Sequence, residues 1–249
     1  MHHTGREGRL AAALVEAADT LTETFDTADY LRRLSDHCVE LLAARAAGVM
    51  LIDGGEAVSL AGSSRREEMA LDLLAAQQGG GPCLESYGSG RAVPPVSIDV
   101  AHAAARWPEF TERALRHGIV STFAVPVRRR ETLLGALNVF VPALPNGGPD
   151  GGGSELMVAQ ALADAVGLGL QNHRAYAQHR SLAGQLQEAL SSRVRIEQAK
   201  GMLAERWGTG TDEAFVVLRG YARRNRLPLD RVARAVIERS LDDTELTGP

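Results

Sequence analysis

The apolar positions of the chain change period along its length, and each change marks an element. Leu10, Leu14, Ala17, Ala18 and Leu21 recur at helical spacing, and a second helix, capped near Thr27, repeats Leu31, Leu34, Cys38, Leu41 and Leu42. Extended runs follow. Gly48 to Asp53 and Ala57 to Ala61 predict two strands, and Asp53-Gly54-Gly55 between them suits a tight hairpin turn. A helix around Glu67 to Gln77 leads into a glycine-rich loop, Gly79-Gly80-Gly81-Pro82-Cys83-Leu84. Later strands span Ala92 to Asp99, Ser121 to Val127 and Leu133 to Val141. Five strands with helices around them predict an α+β domain on an antiparallel sheet.

Residues 142–153 are rich in turn formers, and no proline follows them until Pro228, so a long helix is expected from near Ser154. In it Leu156, Ala159, Ala163, Val166, Leu170, His173 and Ala177 recur three and four apart, the spacing of a coiled-coil seam. The register then slips by one residue to Tyr176, His179, Ala183, Leu186 and Leu190. Run on to Trp207, such a helix would be on the order of 80 Å long, too long for one small domain to cover. The seam predicts a parallel homodimer; packing on the chain's own sheet is the alternative. Gly184 is a candidate break in it.

Beyond Arg193 three short amphipathic helices share one core. Ile196, Ala199, Leu203 and Trp207 line the first, which ends at Gly208. Ala214, Leu218, Tyr221 and Ala222 line the second, with Thr211 as its expected N-cap and Asp212 and Glu213 at the positive end of its dipole. Leu229, Val232, Ala233, Val236 and Ile237 line the third, after Pro228. Charge changes the picture here. Between Leu182 and Leu241 eleven Arg or Lys face seven Asp or Glu, on a chain whose net charge is −4. A basic module on an acidic protein is the electrostatic footprint of a phosphate-backbone binder. Arg219, Arg223 and Arg226 fall at i, i+4 and i+7 and are expected to share one face of the second helix, beside Asn225. Such a stripe can grip phosphates and stack on unpaired bases; a merely solvated face carries the same pattern. Lys200, the one lysine of the chain, can lay its stem along the core edge. Gly201, inside a helix, requires a close approach by a neighbouring helix or by an RNA backbone.

The run Ile196-Glu197-Gln198-Ala199-Lys200-Gly201-Met202-Leu203, followed by Asp212-Glu213-Ala214-Phe215, Leu218-Arg219, Ala222, Asn225 and Val232-Ala233, resembles the ANTAR domain, the RNA-binding output module of bacterial antitermination regulators. The resemblance implies binding to paired stem-loops in nascent RNA, which keeps a terminator hairpin from forming. It puts Ala199, Ala214, Phe215 and Ala222 in the core, and Lys200, Gly201, Arg219 and Arg223 on or near the surface. Upstream, the segment from Gly81 to Val93, with Asp99, Arg106 to Phe110, His117 to Ser121, Val125-Pro126-Val127 and Gly135 to Val139, resembles a GAF domain. That implies a sensory cup over the sheet for a small molecule or a redox signal, with Cys83, Trp107, Phe110, Ser121 and Asn138 as candidate lining; the fold alone names no ligand. The expected organisation is a GAF domain over 8–172, a signalling helix over 154–192 overlapping its end, and a three-helix ANTAR bundle over 193–241.

Several other classes are set aside. The amino-terminal residues fit neither a signal peptide nor a membrane span, and two cysteines, Cys38 and Cys83, make no disulfide framework, so the expected location is the cytoplasm. Cys38 lies on an apolar helix face and reads as a core residue. Cys83 reads either as a thiolate activated by backbone amides at a helix start or as a buried turn cysteine. Some GAF proteins are methionine sulfoxide reductases that use several cysteines, and this chain has too few for that chemistry. No lysine follows the glycine run, so it is no phosphate loop. The chain is expected not to be an enzyme and to require no cofactor. A DNA-binding regulator is the alternative, opposed by Gly220 and by the apolar third helix, which lack base-reading side chains.

Overall fold

In the computed structural model residues 2–22, 24–99, 101–142 and 153–247 are described, and the chain divides into two compact units, Met1–Tyr176 and Ala177–Pro249. The turn-rich break expected at 142–153 lies outside the described residues except at its two ends. No described helix is long and apolar enough to cross a membrane.

The first unit begins with helices α1 (His2–Ala18) and α2 (Thr27–Leu42). The α2 cap, expected near Thr27, is the adjacent Asp26: its carboxylate accepts the Asp29 amide at 2.8 Å, and Ala43 closes the other end at φ 48°. Strands β1 (Ala46–Asp53) and β2 (Glu56–Gly62) form the expected hairpin, whose Gly54 and Gly55 sit at φ 58° and 89°. After α3 (Glu67–Ala75) and α4 (Pro82–Ser89) come β3 (Val93–Ser97), two short helices α5 (Ala101–Arg106) and α6 (Pro108–Arg116), then β4 (Ser121–Arg129) and β5 (Thr132–Val141). All pairings are antiparallel, in the order β2-β1-β5-β4-β3. The sequence pattern missed α5 and α6: they are only six and nine residues long, too short for periodicity to register.

The sheet is covered on both faces, which is why β4 and β5 read as nearly continuous apolar runs. Val49, Leu51, Phe123, Val125, Val127, Leu137 and Val139 point into a core shared with α1, α2 and the long helix α7 (Gly153–Trp207). Alternate residues, among them Ala46, Ala124 and Phe140, pack with Leu73, Trp107, Phe110 and Ile119. A side chain at Gly135 would stand 2.0 Å from the Met50 carbonyl, so glycine alone lets β5 lie so close to β1 there.

Helix α7 packs the first part of its seam within the first unit. Ala159, Ala163, Val166 and Leu170 are buried in the first unit's own core, and Gly167 and Gly169 permit the contact, since a Cβ would lie 2.2 Å from the Arg128 carbonyl and from the Tyr30 hydroxyl respectively. The first half of the seam therefore packs on the chain's own sheet. From Ala177 to Leu190 every residue is exposed, and the slipped register beyond Tyr176 carries no packing partner within the described chain.

The second unit holds the rest of α7, α8 (Thr211–Arg224), α9 (Leu229–Ile237) and α10 (Asp243–Thr247). Ala199, Leu203, Ala214, Leu218, Ala222, Val232, Ala233 and Val236 form its core, joined by Leu241 and by Leu246 of α10, an element beyond the expected three helices. Gly208, at φ 64°, ends α7. The residue before α8 is Gly210, without a side-chain cap, so Thr211 is the first helical residue and not the N-cap. Arg195 on α7 donates to Asp230 at 2.7 Å, which ties α7 to the first turn of α9.

Candidate nucleic-acid interface

The basic residues expected at the interface, Lys200, Arg219 and Arg223, stand on α7 and α8. Phe215, Arg219 and Arg223 follow one another at four-residue steps along α8, one row on a helix surface. Arg219 and Arg223 are exposed, and no ion pair holds either among the described residues. Lys200 on α7 buries its stem, with 14% of its side chain exposed, and brings its ammonium to 2.9 and 3.1 Å from the two carboxylate oxygens of Glu197. The same ammonium lies over the Phe215 ring, 5.2 Å from its centroid.

Gly201 is exposed, and a Cβ built on it meets nothing within 4 Å. Packing of a neighbouring helix therefore does not account for glycine at this helical position.

Arg226 does not join the arginine row. Helix α8 ends at Arg224, and Arg226 sits at φ 53°, its amide on the Arg223 carbonyl at 3.2 Å while Leu227 donates to Ala222 at 2.9 Å. This pair of bonds closes the helix through a left-handed residue, a position usually given to glycine, and swings Arg226 off the face. Asn225 is exposed, but its side-chain amide donates to the Tyr221 carbonyl at 3.0 Å and so helps to cap the same end. Phe215, expected in the core, is only half-buried and stands outside the apolar cluster that contains its neighbours Ala214 and Leu218. One step of phase on the helix separates it from that stripe, and the sequence-level reading overlooked the difference.

The sensory candidates all belong to the first unit. Trp107 and Phe110 are buried edge to face with ring centroids 6.1 Å apart, and Phe110 packs on Phe140. Cys83 belongs to a separate cluster with Met50, Ile52, Leu74 and Ala136. Its backbone amide donates to the Gln77 side chain at 2.7 Å, and burial pushes its thiol up to about 12. Burial does the same to Cys38. Ser121 and Asn138 are fully buried; Thr122 donates to the Asn138 carbonyl oxygen at 2.6 Å, while the Asn138 amide nitrogen and the Ser121 hydroxyl have no hydrogen-bond partner among the described residues. Among the described residues Cys83 and the Trp107–Phe110 pair thus fall in different packing clusters. A cavity of about 320 Å³ adjoins the Cys83 cluster, lined by Met50, Gly55, Glu56, Ala57, Gln77, Gln78 and Leu84.

Comparison with known proteins bears on the second unit. Residues 184–237 match the family model of the ANTAR domain. This small helical module is thus an ANTAR domain, and the match covers about a fifth of the chain. No curated protein matches the sequence. Among solved structures, a domain of a protein described as a two-component sensor histidine kinase from Sinorhizobium meliloti 1021 is 18% identical, with a TM-score of 0.46 over 63% of this chain and 99% of that one. The GAF domain of a sensor histidine kinase from Pseudomonas syringae pv. tomato is 17% identical, with a TM-score of 0.42 over 77% and 97%. Free methionine-R-sulfoxide reductase from Neisseria meningitidis is 15% identical, with a TM-score of 0.44 over 67% and 91%. Likenesses at this level carry no functional weight.

Proposed function

We propose that the chain is a signal-responsive regulator whose ANTAR domain binds paired stem-loops in nascent RNA and prevents transcription termination, with the first unit acting as a GAF-type sensor. The observation that carries this reading is the ANTAR match over 184–237, which contains the unpaired, exposed Arg219 and Arg223 and an unobstructed Gly201. Charge of that kind recognises phosphate, and an exposed helical glycine admits a backbone. A small molecule is favoured over a redox signal, because neither cysteine is a thiolate near neutral pH. The cavity lined by Met50 and Gln77 and the unpaired Asn138 amide are where the search for that ligand starts.

The working form in this proposal is a homodimer joined through the second half of α7. Leu182, Leu186 and Leu190 are 53%, 57% and 60% exposed, an apolar stripe that needs cover. Two ANTAR domains per dimer engage two hairpins, which raises affinity through effective concentration. Gel shifts with tandem-hairpin RNA test the whole: native binding should survive excess duplex DNA, and Lys200→Ala and Arg219→Ala should weaken it. Equal competition by duplex DNA, or native affinity in both variants, refutes it. Light scattering that finds a monomer at all concentrations refutes the dimer alone.

A further inference from the structure

We propose that the Phe215 ring is a stacking platform for one unpaired base of an RNA loop, uncovered when Lys200 leaves the ring for the adjoining phosphate. This rests on the RNA-binding reading above and adds to it a specific contact with a base.

Three aromatic residues of the second unit lie near its core, and they are treated differently. Trp207 and Tyr221 pack against the apolar cluster; Phe215 does not, although it sits beside Ala214, which is fully buried in it. Half-burial leaves part of the Phe215 ring outside the core, and that part is open to another use. Its surroundings name one. The ring heads the row that continues to Arg219 and Arg223, so a polyanion held by those guanidiniums passes the ring. In the free protein a cation covers the ring, and that cation is in turn paired with Glu197, itself 59% exposed. Both contacts of Lys200 are of the exchangeable kind: an ion pair whose carboxylate is solvated is weak, and a cation on a half-buried ring is worth less than a stacked base. A ligand that offers phosphate to the ammonium and a flat π-face to the ring replaces both contacts at once, and an unpaired nucleotide offers the two together. A carboxylate-rich protein partner would satisfy the arginines but leave the ring without a function.

The test uses the full chain and a tandem-hairpin RNA carrying 2-aminopurine at one loop position at a time. The native protein is expected to quench one position selectively by stacking. Phe215→Leu should lose that quenching and bind about 5- to 140-fold more weakly, the range that corresponds to one stacked base. Its salt dependence should match that of the native chain, because no phosphate contact is lost. Phe215→Tyr, which keeps the ring, should restore both affinity and quenching. Native affinity and quenching in Phe215→Leu, while Arg219→Ala still weakens binding, overturns the platform and leaves the RNA reading intact. Absence of hairpin binding by the native chain overturns both. Should Phe215→Leu lose helicity by circular dichroism, the native protein decides alone: no selectively quenched loop position overturns the proposal.

Discussion

Replacing Gly201 by alanine should raise the stability of the ANTAR domain and lower its affinity for RNA. The first effect follows from the helix: Gly201 lies well inside α7, is exposed, and a methyl group there meets nothing within 4 Å. Alanine is favoured over glycine in a helix interior by about 1 kcal/mol, with no steric term to offset it. For a unit the size of this one that corresponds to a rise of about 4–8 °C in its melting transition. The second effect follows from the proposed approach of an RNA backbone, which the methyl group would hold off; a loss of about tenfold, ~1.4 kcal/mol, is expected. Gly184 provides the control, since it too is exposed on α7 with open space around it but stands nearly five turns away. Gly184→Ala should favour the helix in its own stretch without the roughly tenfold loss of RNA affinity. Urea melts followed by helicity, and hairpin titrations on both variants, read the two effects separately. If Gly201→Ala binds RNA as tightly as Gly184→Ala, the backbone contact is wrong; if it fails to stabilise, the local helix is not as described.

Three further outcomes follow from the packing and the charges. Leu203→Ala, which empties a fully buried position in the second core, should cost about 2–5 kcal/mol in urea melts, whereas Val216→Ala, 69% exposed, should stay within about 0.5 kcal/mol; equal effects would contradict the core assignment. With both thiols pushed up to about 12, Cys38 and Cys83 should resist iodoacetamide at pH 8 until the first unit opens, and rapid labelling of the folded chain would refute their burial. Arg195 holds the Asp230 carboxyl below its ordinary value by a charge-assisted hydrogen bond. A depressed folded pKa stabilises above the unfolded value of about 3.9 and stops doing so as pH falls through the folded value. Asp230→Asn should therefore be less stable at pH 6, by about 0.2–1 kcal/mol for a part-exposed pair, and the deficit should close in acid. A deficit that does not change with pH would show that the ion pair is not its cause.

The sequence carried the elements better than their partners. Alternation and the Asp53-Gly54-Gly55 turn gave the five strands within a few residues, because a sheet buried on both faces leaves long apolar runs. Periodicity found the α7 seam but not what covers it, since Ala159, Ala163 and Val166 have the same spacing whether they meet a second helix or a sheet. The arginine row was legible as far as helix α8 lasted. Arg226 fell off it because a left-handed arginine closes the helix where glycine would have announced the end. Phe215 was misplaced because an aromatic one step from an apolar stripe looks like core until its neighbours are known. Trp107 and Phe110 were sensible pocket candidates by type; both are buried, packed edge to face on each other, with Phe110 against Phe140.

In the proposed regulator, coupling between the two units turns on what keeps α7 helical from Ala177 to Leu190. All fourteen residues are exposed, so none gains from burial within the chain. An isolated helix of that length is marginal in water, and Gly184 weakens it by about a further 1 kcal/mol. The nucleation cost is removed, because packed turns flank the stretch at Leu170 and at Ala199. Propagation near balance remains, and such a segment responds to any contact that favours one state. Pairing of Leu182, Leu186 and Leu190 with a second copy supplies that contact in the proposed dimer. Amide hydrogen exchange over 177–190 should accordingly slow as protein concentration rises, while amides of the ANTAR core around Leu203 and Leu218 keep their rates. Exchange over 177–190 that is slow and independent of concentration would mean that the helix holds itself, and a self-sufficient rod cannot be the switch.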